Sequence, residues 1–265
     1  MSVAVPLVLA LIVMGFGSFL ERRGGKAPAA SARFNLGYVL VATPLQSLVG
    51  PIGAAATAFV VAYAGGGLVA LPSQGWALVP AAIAYFLAMD GGEFLFHRAQ
   101  HAIPALWAMH SLHHSDPEMN VSTTFRHFWL EQAIKSLTIY LAVALILTPS
   151  PTVSAIYVAI SLFNAFPHMN LRVGLGLALN SPRYHRIHHS SLPEHQNRNF
   201  AAVLPVFDLL GGTYYLPAKD EHPPTGLYDR EQPRRLIEAL TWPLRHLLLK
   251  QPPPAHEAII PSPER

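Results

Sequence analysis

Residues 34–89, FNLGYVLVATPLQSLVGPIGAAATAFVVAYAGGGLVALPSQGWALVPAAIAYFLAM, contain no Asp, Glu, Lys or Arg. An uncharged run of that length is too long for a buried core helix and points to a bilayer as the solvent. Leu36 to Ala64 is longer than one crossing needs. Its Pro44, Gln46 and Pro51 predict a bend or a re-entrant first part. Trp76 to Phe96 reads as the next span, with Trp76 as an interfacial anchor and Asp90 and Glu93 near its far end. Upstream, the apolar stretch Val3 to Leu20 carries its positive charges behind it, in Arg22, Arg23 and Lys26. A secretion signal has them in front, so this stretch is expected to be an uncleaved membrane helix. Downstream, apolar character runs from Phe128 to Pro167, broken only by Glu131 and Lys135. Thr148-Pro149-Ser150-Pro151 splits it into a hairpin at 128–167 whose arms are barely long enough to cross.

The expected fold is therefore all-α, a multi-pass integral membrane helical bundle of four to five spans with a cytosolic histidine-rich helical cap. Three regions follow: membrane segments at 1–88, a histidine-rich region at 89–217 that includes the hairpin, and a cytosolic tail at 218–265. In the tail, Leu236, Ile237, Leu240, Leu244, Leu247 and Leu248 recur at helical spacing within 234–250. That pattern fits an amphipathic helix lying on lipid or packed on the protein's own cap. Disorder is expected after Gln251, where three prolines follow. Arg22, Arg23, Lys26 and Arg33 assign the first loop to the cytosol, the uncharged 65–75 loop to the outside, and every histidine cluster to the cytosolic side.

Only 12% of residues are charged, about half the usual fraction, and the net charge of +3 is too slight to suggest nucleic acid as a partner. There are no cysteines, which excludes disulfides, thiolate zinc sites, iron–sulfur clusters and a cysteine nucleophile. Histidine is the anomaly, with 14 copies. Three clusters stand out: His97-x3-His101, His110-x2-His113-His114 and His185-x2-His188-His189. Spacings of three and four put imidazoles on one helix face, where they can converge on a common point. Eight such rings exceed the four ligands of a structural zinc and suggest two metals, and neutral imidazole suits iron, zinc, copper or nickel alike. Three readings remain open on these residues: an oxygen-using metalloenzyme, a membrane metal- or haem-binding protein for electron transfer or transport, and a zinc-dependent membrane hydrolase. The last lacks an H-E-x-x-H motif.

The three clusters, with Trp107 before the second, Thr124-Phe125-Arg126-His127 and Glu131 after it, Asn197-x-Asn199-Phe200, Phe207-Asp208 and Gly212-Thr213-Tyr214, resemble the histidine boxes of the fatty acid hydroxylase, or sterol desaturase, superfamily of membrane di-iron enzymes. The resemblance runs from about Met89 to Pro217. It implies metal ligands at His97, His101, His110, His113, His114, His185, His188 and His189, with His168 as a ninth. It also implies two non-haem irons, with zinc as an alternative occupant on isolation. These would use O2 to hydroxylate or desaturate a C–H bond of a fatty acyl, sterol or ether lipid. Asp90 and Glu93 are the expected acceptors for the ligands' other N–H groups; Asp116, Glu131 and Asp208 are weaker candidates. His127 would support Glu131, and Asn164 would support His168 or bind through a water. Asn199 belongs to the matched pattern, and His195 is expected to stay off the metals. His222, His246 and His256 are expected in solvent.

Nothing in the chain stores electrons, so an external donor is implied, a ferredoxin or a b-type cytochrome with its reductase. It would dock near Arg183, Arg186 and Arg198, unless those arginines contact lipid phosphates. The Arg-rich composition suggests a bacterial inner membrane.

Overall fold

The computed structural model describes residues 3–27 and 29–249. Three helices are long and apolar enough to cross a membrane: α1 (Ala4–Arg23), α2 (Ser31–Tyr63) and α3 (Leu78–Ala102). Their outward faces carry large apolar side chains such as Leu48, Ile52, Phe59, Val79 and Ile83, as lipid contact requires. α2 is one continuous helix with Pro44 and Pro51 inside it, so the expected re-entrant part is absent. At about 1.5 Å per residue its 33 residues span roughly 50 Å, far more than a hydrocarbon core of about 30 Å. The excess lies in the cap. Near the start of α2, Asn35 Nδ2 donates to Asp116 at 2.8 Å and to Ser122 Oγ at 3.0 Å, and Tyr38 OH donates to the His127 carbonyl at 2.9 Å.

After α3, Ile103 adopts an extended conformation and Pro104 opens α4 (Pro104–His114), where a proline's missing N–H costs nothing. The hairpin follows. Its first arm is α5 (Glu131–Lys135), a π-helical turn (Ser136–Tyr140) and α6 (Leu141–Ile146); its second is α7 (Pro151–Ser161), continued by a 3-10 turn to Ala165. Neither arm reaches the length of the three candidate spans, so the hairpin inserts beside them as a shorter unit. The hairpin tip is held by a feature an all-helical reading omits: β1 (Val69–Ala70) pairs in parallel with β2 (Leu147–Thr148). α2 meets the hairpin closely at Gly53, where a Cβ would sit 3.1 Å from Ala133 Cα.

α8 (Pro182–His188) and α9 (Val206–Gly211) complete the cap. Glu21, buried at the end of α1, accepts the backbone N–H groups of Asn170 at 2.7 Å and Val121 at 2.9 Å and so locks the first span onto this cap.

The tail settles the choice left open for 234–250. It forms two short helices, α10 (Leu236–Leu240) and α11 (Trp242–Leu249), rather than one. Trp242 is fully buried in a cluster with Tyr38, Leu112 and Phe128, and its Nε1 donates to Ser111 Oγ of α4 at 2.9 Å. The tail is thus packed on the cap at this point. The expected disorder after Gln251, His256 and the His246 side chain lie outside the described residues, and His222 is half-buried rather than free in solvent.

Trp242→Ala should cost about 3–5 kcal/mol of stability, read as a fall of several degrees or more in the unfolding midpoint in detergent, whereas Trp242→Phe should cost about 1 kcal/mol. An unchanged midpoint for the alanine variant would place this segment on lipid instead.

Candidate metal centre

The first histidine pair rides on the last turns of α3, His97 and His101 being one turn apart on one face. α4 carries His110, His113 and His114; α8 carries His185 and His188, with His189 as its C-cap; His168 follows the 3-10 turn that ends the hairpin. Seven of the nine rings are buried, and His97 and His101 are partly so.

The nine imidazoles sort into two sets, His97, His101, His110, His114 and His188 in one, His113, His168, His185 and His189 in the other, with one nitrogen per ring lying within 4.8 Å of the others in its set. Helical geometry explains the division. In each H-x-x-H-H box the i, i+4 pair shares a face and joins one set, while the residue between them points to the other. His110 and His114 thus separate from His113, and His185 and His189 from His188.

Backbone carbonyls orient the rings. His97 Nδ1 meets Phe200 O at 2.7 Å, His168 Nδ1 meets Asn164 O at 2.8 Å and His188 Nδ1 meets Arg198 O at 2.9 Å. A carbonyl only accepts, so each Nδ1 carries the hydrogen and each Nε2 turns a lone pair inward. Those Nε2 atoms crowd together: 3.0 Å for His97 and His110, 3.2 Å for His101 and His114, and 3.1 Å from His168 to both His113 and His185. Nitrogens bound at about 2.0–2.1 Å to one ion lie roughly 2.9–3.4 Å apart at octahedral to tetrahedral angles. Buried with no hydrogen-bond partner are His188 Nε2 and both ring nitrogens of His189. Converging lone pairs without donors are stabilised by a cation, and both clusters are compatible with metal binding.

Burial pushes the His168 and His188 imidazoles down to about 3, and it also holds His110, His113, His114, His185 and His189 below the usual histidine range. At neutral pH they are uncharged, as ligation requires.

The expected supporting residues act differently from the sequence expectation. Asp90 does not hold a ring; its carboxylate accepts the backbone N–H groups of Val203 and Leu204 at 3.0 and 2.9 Å. Asp208 accepts from Phe200 N, Ala201 N, Thr213 Oγ1 and Tyr184 OH at 2.5–2.8 Å, tying α8 to the loop whose carbonyls orient His97 and His188. Asn199 Nδ2 bonds the Tyr184 and Tyr215 carbonyls. Glu93 pairs with Lys135 at 2.9 Å rather than with an imidazole. Asn164 supports His168 through its backbone carbonyl, not its amide side chain. Glu131 does sit at the site, 3.8 Å from His110 Nδ1 and 3.1 Å from His127, whose ring stacks on His113 with centroids 4.1 Å apart. Asp116 lies away from the rings, accepting from Asn35, Thr123 and Glu118. His195 is held between Ser190 and Glu221, each at 2.9 Å, away from both sets.

What sequence reasoning missed is the loop 197–200. Asn197 and Asn199 adopt positive φ values of 58° and 60°, which Asn tolerates better than other non-glycine residues, and so turn the carbonyls of Arg198 and Phe200 onto the rings. The Asn-x-Asn spacing was the available signal.

Comparison with known proteins agrees with this geometry. Residues 82–213, about half of the chain, match the fatty acid hydroxylase family model. Over 133 residues the chain is 37% identical to alkylglycerol monooxygenase of Danio rerio and 36% identical to that of Homo sapiens, each alignment covering 49% of this chain and 29% of the relative. Over 159 residues it is 28% identical to an ornithine lipid hydroxylase of Rhizobium tropici, covering 59% of this chain and 48% of that protein. The chain spans less than half the length of these relatives. No solved structure matches. The chain belongs to the fatty acid hydroxylase family.

Acidification should destabilise the metal-free protein. His168 and His188 bind protons near pH 6.5 when unfolded but only near pH 3 when folded, so the unfolded state takes up more protons in between. Their contribution is complete above about pH 6.5 and is lost as pH falls toward about 3. The unfolding midpoint of chelator-treated protein should drop by several degrees from pH 7.5 to 5.5; a rise would contradict neutral buried rings.

Proposed function

We propose that this member of the fatty acid hydroxylase family is a membrane di-iron monooxygenase that hydroxylates a C–H bond of a polar lipid. The observation that carries the reading is the division of nine histidines into two all-nitrogen sets with Nε2 atoms 3.0–3.2 Å apart. One iron would be held by His97, His101, His110, His114 and His188, the other by His113, His168, His185 and His189. The two irons, reduced by an external one-electron donor such as a ferredoxin or a b-type cytochrome with its reductase, supply the chemistry R–H + O2 + 2 e− + 2 H+ → R–OH + H2O.

The chain's own residues bind, orient and exclude water. Phe200, Asn164 and Arg198 carbonyls fix three ring tautomers, and Asp208 and Asp90 hold the loop that presents two of those carbonyls. Glu131 places a buried carboxylate beside His110 and His127. A cavity of about 650 Å³, within the usual range of small-molecule sites, reaches His97, His110, His113, His168 and His185. Its lining extends to α2, α3 and the hairpin, the elements with lipid-facing apolar surface. The absence of cysteine leaves no thiol for the oxidant to attack. The named relatives act on lipids, which supports lipid as the substrate class.

Localisation in a bacterial inner membrane with the histidines facing the cytoplasm remains part of this reading, supported by the charge pattern of the loops. Arg183 and Arg186 are weaker docking residues for a donor than their charge suggests, because each is tied to a carbonyl of the tail, Lys219 O at 3.3 Å and Pro223 O at 2.8 Å. A haem reading is disfavoured by spacing: axial nitrogens on opposite faces of a porphyrin would lie about 4 Å apart. A zinc hydrolase reading draws on Glu131 as a base.

His101→Ala and His113→Ala should each lose one of the two ions and the double variant both, measured as metal per chain after iron reconstitution. Each should abolish lipid-dependent O2 uptake. Tightly held zinc with lipid hydrolysis and no O2 uptake would overturn the proposal in favour of the hydrolase.

A further inference from the structure

Away from the rings, Lys26, Arg172, Arg186 and His222 come from four separate segments and meet on the cap. Burial, and then the charges of Arg186, Lys26 and Arg172, lower the His222 imidazole to about 4, and no carboxylate acts on it in the other direction. Arg172 acts on Arg186 in the same way, with no acid opposing it. Like charges drawn together without a counter-charge repel, and an anion relieves that repulsion. The ion pairs of Arg and Lys among the described residues are formed elsewhere, by Arg126, Lys135, Arg235 and Arg245. Of the acids nearest in the chain, Glu221 is turned to His195, Tyr215 and the Ala218 N–H, while Asp220 is exposed and acts on neither Arg186 nor His222. Arg186 commits only Nε, to the Pro223 carbonyl at 2.8 Å, which fixes the guanidinium and leaves its two amino groups for a ligand.

A second observation fixes the depth of this cluster. The 20 residues of α1 rise roughly 30 Å, the thickness of a hydrocarbon core, so Arg22, Arg23 and Lys26 lie at its boundary. Glu21 accepts from Asn170 N at 2.7 Å, and Gly24 abuts Leu171, where an added Cβ would fall 2.7 Å from Leu171 Cδ2. Arg172 is thereby brought to the same level. Arg183 N donates to Val173 O at 3.0 Å and joins α8, with Arg186, to it. The loop that begins there, residues 171–179, has Arg172 as its one charge and leaves Val173, Leu175 and Leu177 exposed. Its far end is tied to a span, since Asn180 N donates to Val203 O at 2.8 Å and Val203 N to Asp90 of α3 at 3.0 Å. An apolar loop tethered at both ends to spans and edged by cations has the composition of a segment lying in the head-group boundary.

We infer that Lys26, Arg172 and Arg186 form a binding site for the phosphate of an anionic phospholipid, with Val173, Leu175 and Leu177 set among the acyl chains beside it. This lipid is a ligand distinct from the substrate, because none of the six residues lines the cavity at the rings. A guanidinium offers paired donors to two phosphate oxygens, and the ammonium adds a point charge. A zwitterionic head carries the same phosphate together with an ammonium or choline that the three cations repel, so the site selects a net negative head. The exposed apolar loop favours a lipid over a free phosphate, and the depth of the cluster favours a lipid over an acidic protein.

Native mass spectrometry of the full chain in detergent, titrated with dioleoylphosphatidylglycerol or dioleoylphosphatidylcholine, tests this without depending on metal or O2. The first phosphatidylglycerol should bind about tenfold or more tightly than the first phosphatidylcholine, and the preference should shrink as salt is raised. Lys26→Gln/Arg172→Gln should reduce it to about twofold or less. Arg33→Gln/Arg230→Gln, which removes the same charge from exposed positions outside the cluster, should leave it intact. Leu175→Ser/Leu177→Ser should weaken both lipids several-fold. If the Lys26/Arg172 variant does not fold, Arg172→Gln alone, at an exposed side chain, reads the same loss at smaller amplitude. Equal affinity for the two lipids, a preference that survives loss of Lys26 and Arg172, one lost as fully in the Arg33/Arg230 variant, or unweakened binding in the leucine variant would overturn the inference. Displacement of phosphatidylglycerol by equimolar inorganic phosphate would overturn it in favour of a free anion, and displacement by polyglutamate in favour of an acidic protein.

Discussion

Nine imidazoles must keep their lone pairs aimed at two points without taking up protons, and the rest of the molecule is arranged around that requirement. A neutral ring is a weak donor and acceptor that rotates freely in water. Burial suppresses protonation, and a fixed acceptor on Nδ1 suppresses rotation. For three of the rings the acceptor is a backbone carbonyl, of Phe200, Asn164 or Arg198, and Glu131 lies beside His110. The buried carboxylates Asp90 and Asp208 work at one remove, by holding the loop 197–204 in place.

That arrangement accounts for features that look unrelated. α2 is far longer than a crossing because its first turns are cap structure, bonded to Asp116, Ser122 and the His127 carbonyl. Glu21 is buried at the cap end of α1, where it receives two backbone N–H groups of the cap. Trp242 brings the tail back over α4, the helix with the three central histidines. These contacts join spans and cap around histidines drawn from four separate segments.

The site also joins two environments. On one side lie nitrogen-only clusters of uncharged rings; on the other lies a cavity whose lining includes Glu93, Glu131 and Lys135, with an apolar groove of alanines and Val61 nearby.

The sequence alone determined where the long apolar helices run and which histidines cluster, because apolar run length and i, i+3, i+4 spacing are local properties that a one-dimensional pattern records. The charge-free run, the proline-split hairpin and the three boxes are legible for that reason. It did not determine which ring joins which set across α3, α4, α8 and the 168 segment, since helix faces acquire partners only on packing. Nor did it show that Asp90 and Glu93, two turns and one turn before His97, would turn to Val203, Leu204 and Lys135 instead of to an imidazole. The carbonyls of Asn164, Arg198 and Phe200 carry no signature of their own beyond the Asn197-x-Asn199 spacing that marks the loop, because every residue has a carbonyl and only the tertiary fold decides where it points.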